Sequence, residues 1–247
     1  GKATDAIKCR NIIIATGARP RMFEGIEVDR KKILTSKEAM IQKKIPKSLI
    51  VMGAGAIGVE FAYFYNSFGT EVTVIEMMDR IVPVEDKDIS KELERNFRKA
   101  KIKVMTNTRV KSAKPKGNGV EIVVEKKDGK EETLTAELAL NAIGIQANIE
   151  DIGLEDLGIK TEKGFIKINE KMQTNVEGIY AIGDVAGPPW LAHKASAEGI
   201  AAVEIMAGEK SSVDYGNIPA CTYCQPQVAS VGLSEEKARA EGYDVKT

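Results

Sequence analysis

A glycine-rich turn at residues 53–58 constrains the fold of this chain more than any other feature. The turn has the pattern G-x-G-x-x-G. An apolar run at 48–52 before it predicts a buried strand, and the apolar and aromatic residues at 59–68 after it predict a helix. A second predicted strand covers 71–76 and ends in Glu76, about 20 residues beyond the turn. This order predicts a β-α-β unit that binds a dinucleotide.

Each glycine of the turn has a separate physical role in such a unit. Gly53 permits the tight turn, Gly55 lets the backbone approach a pyrophosphate, and Gly58 lets the helix pack closely on the strand. The first N–H groups of the helix have no acceptor within the helix and carry a partial positive charge, which favours a phosphate. We therefore expect the whole turn to bind the cofactor, through Gly53, Ala54, Gly55, Ala56, Ile57 and Gly58.

Glu76 indicates which dinucleotide binds. A carboxylate at the end of the second strand can accept hydrogen bonds from both hydroxyls of a ribose. The same negative charge would repel the 2′-phosphate of NADP, and no arginine immediately follows Glu76. The sequence therefore predicts NAD as the cofactor.

The pattern after the second strand predicts a larger α/β domain. An amphipathic helix is predicted at 88–100. Alternating runs at 103–125, with glycine turns at 116–119 and 127–130, predict an antiparallel meander. A strand predicted at 137–143 returns to the parallel sheet. Other predicted elements are a buried strand at 10–15, a strand at 179–184, a helix at 192–206, strands within 218–232 and a helix at 234–241.

Composition argues against several classes of function. Lysine plus arginine and aspartate plus glutamate both number 36, and this balance argues against broad binding to nucleic acid or to an anionic membrane. No apolar run reaches the length of about 18 residues that a membrane span needs. Three cysteines and one histidine argue against a disulfide scaffold and a histidine-rich metal site, so we expect no metal and a reducing compartment.

Cys221 and Cys224 form a C-x-x-C pattern, which invites a redox or zinc interpretation. Zinc needs four ligands, and only Cys9 and His193 remain elsewhere in the chain. If 218–224 is one strand, residues three apart point to opposite faces, and the two sulfurs diverge. We therefore expect both cysteines to be structural.

Four segments resemble the pyridine nucleotide–disulfide oxidoreductase family, and within it the dihydrolipoamide dehydrogenase branch. They are IIIATGARP at 12–20, MGAGAIGVE at 52–60 with VIE at 74–76, YAIGDVAGPPWLAHKASAEG at 180–199 and IPACTYCQPQVASVG at 218–232. Their order and spacing follow the family, and the resemblance spans essentially the whole chain. It implies an α/β fold, the Rossmann-like FAD/NAD(P)-binding domain of the flavin disulfide reductases, with partial FAD and dimerisation domains.

The resemblance also implies further cofactor contacts. On the NAD side, Glu60 would lie near the nicotinamide, Val110 would pack on the adenine and Gly144 would lie beside the nicotinamide ribose. On the FAD side, Asp184 would bind the ribitol, and the start of the helix after residue 189 would direct N–H groups at the flavin ring. The implied FAD contacts are Thr16, Gly17, Ala18, Asp184, Trp190, Leu191, Ala192 and His193, with Gly1 as a weaker match. Simpler interpretations remain open, namely an Asx turn at Asp184 and a solvated Glu60.

By this resemblance the chain is an internal fragment. Residues 1–46 would end the first FAD segment, 47–147 form the NAD-binding domain, 148–212 form the second FAD segment and 213–247 begin the dimerisation domain. The family's first glycine turn, its C-x-x-x-x-C disulfide and its terminal His–Glu pair are not in the sequence. We therefore expect no catalytic residue in this chain, and we expect the chain alone to be inactive. One departure is Ile145-Gln146-Ala147-Asn148, where the family often has Gly-Arg-x-Pro-Asn.

The resemblance implies that the parent protein is an enzyme. It would oxidise dihydrolipoamide on a lipoyl carrier domain of a 2-oxoacid dehydrogenase complex and pass electrons through a disulfide and FAD to NAD. It would be a homodimer in the cytoplasm, or in the mitochondrial matrix of a eukaryote. Two alternatives stay open, a related FAD/NAD(P) reductase such as a mercuric reductase or NADH oxidase, and a stand-alone NAD-binding module without catalysis.

Overall fold

The computed structural model describes residues 6–247, so the weak match at Gly1 lies outside the described residues. The chain divides into two units, one formed by residues up to 19 with 145–218 and the other by 20–144 with 219–247. The strands are β1 (Ile12–Ile14), β2 (Ala18–Pro20), β3 (Ile33–Leu34), β4 (Ser48–Met52), β5 (Glu71–Ile75), β6 (Lys103–Met105), β7 (Thr108–Lys116), β8 (Gly119–Lys126), β9 (Glu131–Ala136), β10 (Leu138–Asn141), β11 (Ile145–Ala147), β12 (Thr161–Glu162), β13 (Phe165–Ile166), β14 (Ile179–Ala181), β15 (Ala220–Thr222) and β16 (Val228–Ser230). The helices are α1 (Ser36–Met40), α2 (Ala56–Ser67), α3 (Lys87–Lys99), α4 (Ala192–Met206) and α5 (Glu235–Ala240), with 3-10 turns at Gly183–Ala186 and Tyr215–Asn217.

The unit that contains residues 20–144 is built on a five-stranded parallel sheet. The strand order is β3-β10-β4-β5-β6, and every pair runs parallel. The register places Ile50 of β4 between Ala139 of β10 and Thr73 of β5. From β4 the chain passes through α2 to β5 on one side, whereas β10 lies on the other side of β4. A sheet that changes direction in this way binds ligands at the carboxyl ends of the two central strands.

Alternate residues of this sheet pack against two different layers. Leu49 and Val51 of β4 face a core that contains α2 and α3 residues, including Tyr65 and Phe97. Ile50 and the other alternate residues pack against the antiparallel meander β7-β8-β9. The strands read as continuous apolar runs because both faces of the sheet are covered.

Residues 219–247 belong to the same unit as the parallel sheet and pack against its helices α2 and α3. β15 and β16 form an antiparallel pair, and Cys224 and Val228 are buried in the same core as α2 and α3. The Asp86 carboxylate, at the N-terminus of α3, accepts a hydrogen bond from the N–H of Glu235 at 3.2 Å. Glu236 forms ion pairs with Arg80 and Lys87.

The second unit combines small sheets with the long helix α4. β1 runs parallel to β14, with Ile14 opposite Ala181. β2 lies beside β11, and β12 and β13 form a short hairpin. Buried apolar residues of 147–185 form one core, and a second core joins Tyr180 to α4.

Most predicted elements are present, and several differ in extent. The buried strand predicted at 10–15 covers Ile12–Ile14 only, and Ile12 and Ile13 are exposed, because among the described residues only β14 pairs with it. The helix predicted at 192–206 has those bounds. α2 begins at Ala56 rather than at Val59, because Gly55 is its N-cap and Gly58 lies inside the helix. The expected strand over 218–224 is wrong, since pairing covers Ala220–Thr222 only and Cys224 lies outside it. Among the described residues, no helix is both long and apolar enough to span a membrane.

Candidate functional site

Two glycines of the 53–58 turn are required by contacts within the backbone. Gly53 has a φ of +102°, and a Cβ there would lie 2.4 Å from the carbonyl oxygen of Ala142, at the end of β10. A Cβ on Gly58 would lie 1.9 Å from the carbonyl oxygen of Gly53. The positive φ of Gly53 agrees with its predicted role in the tight turn, and the close contact at Gly58 agrees with its predicted role in packing the helix on the strand.

Gly55 differs from these two glycines because no neighbouring backbone atom would overlap a Cβ at this position. Its φ is −71°, and a Cβ there would meet no atom within 4 Å. It is the N-cap of α2, and Ala56 and Ile57 in the first turn of the helix are exposed. The open space before Gly55 therefore meets helix N–H groups that lack intrahelical acceptors, which is the chemistry that binds a phosphate.

The carboxylate of Glu76 lies beside this turn and is largely buried, with 9% of the residue exposed. Oε2 accepts a hydrogen bond from the N–H of Ala54 at 2.8 Å, and Oε1 accepts one from Met78 at 2.8 Å. A carboxylate has about four lone-pair sites, so each oxygen can accept a further hydrogen bond. The structure thus brings Glu76 to the turn, while its binding of ribose hydroxyls stays a prediction.

Three other predicted NAD contacts lie in the same unit. Gly144 is exposed after β10, and a Cβ there would meet no atom within 4 Å. Val110 is half-buried in β7, which begins where Thr108 donates to the Glu76 carbonyl at 2.9 Å. The Glu60 carboxylate accepts a hydrogen bond from the N–H of Tyr223 at 2.7 Å. Glu60 is therefore tied to the chain beyond β15 and is not simply solvated, while its contact with a nicotinamide stays a prediction.

The predicted FAD contacts begin with two turns at the ends of neighbouring parallel strands. After β14, the N–H of Ile182 donates to the Ile14 carbonyl at 3.0 Å. Thr16, Gly17 and Ala18 follow β1, and Asp184 follows β14 within the 3-10 turn. The carboxyl ends of parallel strands are where α/β proteins bind ligands.

Asn148 holds the turn after β1. Its side-chain amide donates to the Thr16 carbonyl at 2.8 Å, and its backbone N–H donates to the Gly17 carbonyl at 2.9 Å. The Thr16 hydroxyl donates in return to the Asn148 carbonyl at 2.7 Å. Arg19 donates two hydrogen bonds to Glu150, at 2.8 and 2.6 Å, and this guanidinium lowers the pKa of Glu150 to about 2. The segment 145–148 departs from the family's Gly-Arg-x-Pro-Asn pattern, yet it retains an asparagine, Asn148, that holds the turn through these hydrogen bonds.

The start of α4 presents the remaining FAD contacts. Leu191 is the N-cap, Ala192 and His193 are exposed, and the Trp190 ring lies 5.6 Å from the ring of Phe165. A Cβ on Gly183 would lie 3.3 Å from the Cβ of Ala195, so the first turns of α4 approach the turn that carries Asp184. A carboxylate and a helix N-terminus in one place suit the polyol and the electron-rich ring of a flavin.

The sequence profile of the family described as "Pyridine nucleotide-disulphide oxidoreductase" matches residues 1–199. The chain belongs to the pyridine nucleotide-disulphide oxidoreductase family. The profile of the family's dimerisation domain matches residues 218–247. The chain therefore has the α/β Rossmann-like fold of the flavin disulfide reductases, a family that uses FAD and NAD(P).

Curated relatives in this family carry the name dihydrolipoyl dehydrogenase. The protein of Rhizobium etli is 49% identical over 99% of this chain and 51% of its own length. The protein of Bacillus subtilis is 47% identical over the whole chain and 52% of its own length. The chain thus spans about half the length of the curated relatives it matches.

Solved structures in the family agree with the fold. LpdA from Mycobacterium tuberculosis superposes with a TM-score of 0.87 at 31% identity, covering 95% of this chain and 50% of that one. The HOCl-induced flavoprotein disulfide reductase RclA from Escherichia coli superposes with a TM-score of 0.84 at 25% identity, covering 96% of this chain and 54% of that one.

Sequence reasoning missed the residues that support the FAD-side turns. Lys194 and Glu198 lie inside the matched segment at 180–199, and both are buried with 1% exposure. Their signal was their spacing, since residues four apart lie on one face of a helix. Asn148 was noted only as part of a departure from the family pattern.

The cysteines differ from each other in environment. Cys221 is exposed in β15, whereas Cys224 is buried, and both are free thiols. Burial, with a smaller effect of Glu60, raises the pKa of Cys224 to about 11. A thiol with so high a pKa is a weak nucleophile at neutral pH, which favours the structural interpretation of Cys224.

Proposed function

We propose that this chain supplies the NAD site and part of the FAD site of a dihydrolipoyl dehydrogenase. The whole enzyme would oxidise dihydrolipoamide, presented on a lipoyl carrier domain of a 2-oxoacid dehydrogenase complex, and reduce NAD. The similar curated proteins are dihydrolipoyl dehydrogenases, which supports this activity. The cofactors supply the redox chemistry, a transfer of electrons through a flavin to a nicotinamide, and the protein orients them.

The observation that carries the NAD assignment is the open space before Gly55 beside the Glu76 carboxylate. The N–H groups at the start of α2 would hold the pyrophosphate. Glu76 would accept hydrogen bonds from the ribose hydroxyls and exclude a 2′-phosphate by charge repulsion. Val110, Glu60 and Gly144 complete the proposed NAD contacts.

The proposed FAD contacts come from the turns after β1 and β14 and from the start of α4. Asp184 would bind the ribitol, and the N–H groups after Leu191 would face the ring. These groups reach one side of the cofactor. We propose no catalytic residue in this chain, and we expect the acid–base and thiol groups to lie elsewhere in the complete protein.

Domain organisation, assembly and location are part of the same proposal. We assign 47–147 to NAD binding, 1–46 and 148–212 to FAD binding and 213–247 to dimerisation, with a homodimer as the assembly. The match to a dimerisation domain at 218–247 supports the dimer. Three free cysteines suit a reducing compartment, which supports the cytoplasm of a bacterium or the mitochondrial matrix of a eukaryote.

Calorimetric titration of the chain with NAD and NADP tests the proposal. We expect tighter binding of NAD, and we expect Glu76→Ala to weaken it by about 1–3 kcal/mol, because ribose hydroxyls lose their acceptor. Glu71→Ala is the matched control, since Glu71 is an exposed glutamate at the other end of β5. Equal affinity for the two cofactors, or equal losses in the two variants, would contradict the assignment of Glu76.

A second measurement separates the enzyme from the alternatives. The chain alone should purify without FAD, because contacts to one side of the cofactor must offset the full loss of its translational freedom. The complete protein should be yellow and should reduce NAD with dihydrolipoamide. A complete protein that reduces mercuric ion or oxygen with NADH but does not oxidise dihydrolipoamide would instead be one of the related reductases.

A further inference from the structure

Two charged side chains of α4 are buried next to the proposed flavin site. Lys194 and Glu198 lie one helical turn apart, each with 1% exposure, and the Lys194 Nζ lies 3.2 Å from Glu198 Oε2. Burial of two charges is unfavourable unless their donors and acceptors are paired. Their hydrogen-bond partners therefore show what the pair does.

The partners of Lys194 are carbonyl groups at both ends of the 183–187 turn. The ammonium donates to the Gly183 carbonyl at 3.1 Å and to the Gly187 carbonyl at 3.0 Å. With Glu198 as its third partner, all three donors of the ammonium are used. Gly183 and Gly187 have φ values of +74° and +103°, and both lie beyond the end of β14, at the start and the C-cap of the 3-10 turn.

Glu198 binds the same turn from its other side. Its Oε2 accepts a hydrogen bond from the N–H of Gly183 at 2.7 Å, so the pair holds both the N–H and the carbonyl of one residue. Its Oε1 accepts the Tyr215 hydroxyl at 2.7 Å. Burial raises the pKa of Tyr215, and the hydrogen bond to Glu198 raises it further, so the hydroxyl stays a donor.

Stability alone is a poor account of this arrangement. A buried ion pair gains little net free energy, because desolvation offsets much of the attraction, and apolar residues often serve as well. What the pair supplies is geometry. It fixes the turn that carries Asp184, and Lys194 lies in the first turn of α4, next to Ala192 and His193. The pair thus connects two of the proposed flavin contacts to each other.

We propose that Lys194 and Glu198 are positioning residues for FAD, which set the place of Asp184 relative to the N-terminus of α4. Tyr215 secures the Glu198 carboxylate in this arrangement. The inference rests on the proposed FAD site. It assigns to the buried pair a supporting role of the kind that keeps binding groups within a fraction of an ångström of their working geometry.

The test uses the complete flavoprotein that contains this chain, with Glu198→Gln and Tyr215→Phe. Glu204→Gln is the control, since Glu204 lies in the same helix and, among the described residues, shows no hydrogen bond to the 183–187 turn. Three quantities are measured. They are the rate of FAD release, monitored by flavin fluorescence; the position of the visible flavin absorption band; and the Kd for NAD. NAD serves as an internal reference, because its proposed contacts lie in the other unit.

We expect Glu198→Gln to release FAD about tenfold or more faster. Lys194 loses the carboxylate charge that it pairs with, and the amide has one acceptor oxygen where the carboxylate has two for Gly183 and Tyr215. Tyr215→Phe should accelerate release by about threefold, and the visible flavin band should shift in the same direction in Tyr215→Phe as in Glu198→Gln. Glu204→Gln should leave release unchanged, and NAD affinity should stay within about twofold in every variant.

Three results would overturn the inference. They are unchanged FAD release in both test variants, an equal loss in the control, or a parallel loss of NAD affinity, which would indicate general destabilisation. If Glu198→Gln does not fold, Tyr215→Phe decides the matter alone, because it removes one hydroxyl from a residue that is 41% exposed. A complete protein that binds no FAD before any substitution would reject the proposed function together with this inference.

Discussion

The turn at 53–58 and the turn at 183–187 both follow a parallel strand, yet they are held by different parts of the chain. At 53–58 the backbone itself fixes the turn, because a Cβ on Gly53 or Gly58 would overlap a carbonyl oxygen. At 183–187 two buried side chains of α4 hold the carbonyls and the N–H of the turn. A Cβ on Gly183 would meet only the Cβ of Ala195, at 3.3 Å.

This difference decides how each turn responds to substitution. A turn fixed by close backbone contacts fails when any side chain is added, whatever its charge. A turn fixed by a buried ion pair fails when one charge is left without the other. The first turn is therefore sensitive to volume, and the second is sensitive to the balance of charge.

The largest effect is expected when Lys194 is replaced by Met. Glu198 would then be a buried carboxylate without its cation, and loss of one partner of a buried pair costs about 3–5 kcal/mol. The chain's single tryptophan, Trp190, lies beside α4, so its fluorescence during urea denaturation reports on this unit.

The double variant Lys194→Met with Glu198→Gln gives the decisive comparison. It should recover part of the stability that Lys194→Met loses, because no uncompensated charge remains. If the double variant loses the sum of the two single losses, the residues act independently and the turn is not held by a charge pair.

A smaller effect is expected from Gly58→Ala. The added Cβ would lie 1.9 Å from the Gly53 carbonyl oxygen, and α2 would have to move from β4, at a cost of about 1–3 kcal/mol. Gly55→Ala is the matched control, because its Cβ meets no atom within 4 Å and its φ suits alanine.

The two glycine variants should separate stability from binding. Gly55→Ala should keep the stability of the unchanged chain while NAD affinity falls by about tenfold or more, since the Cβ enters the space where a pyrophosphate would lie. Thermal denaturation and calorimetric titration provide the two measurements. NAD binding by Gly55→Ala equal to that of the unchanged chain would show that the open space does not receive the cofactor.

The same contrast explains which features the sequence could predict. Close backbone contacts demand glycine at fixed positions, so the turn at 53–58 can be predicted from its glycine spacing together with the strands, helix and acid around it. The bounds of α4 were also predicted, because its residues match helix propensity and Gly208 follows its end. Within this helix, Lys194 and Glu198 were overlooked, since lysine and glutamate are almost never fully buried unless they are paired. Their spacing of four places both side chains on one face of the helix, but whether that face is buried depends on tertiary contacts, which the spacing does not encode.

The expected strand at 218–224 failed for a local reason. The pairing of β15 with β16 joins Thr222 to Val228, and Gln225-Pro226 lies in the connection. Proline has no N–H to donate to a ladder, so the strand ends before it.

The smallest effect is expected at the pair Arg19 and Glu150, which also supports a flavin-side turn but lies at the surface. The two side chains are 39% and 47% exposed, and the guanidinium lowers the pKa of Glu150 to about 2 from its usual 4.5. A depressed pKa stabilises the folded chain above the unfolded value of 4.5, and this stabilisation is lost as the pH falls through 4.5 towards 2. Glu150→Gln should therefore lower the thermal midpoint slightly at pH 7 and not at all near pH 2. The difference at pH 7 should shrink in high salt, because water and ions screen exposed pairs. If Glu150→Gln lost as much stability as Lys194→Met, burial would not explain the difference between the Arg19–Glu150 pair and the Lys194–Glu198 pair.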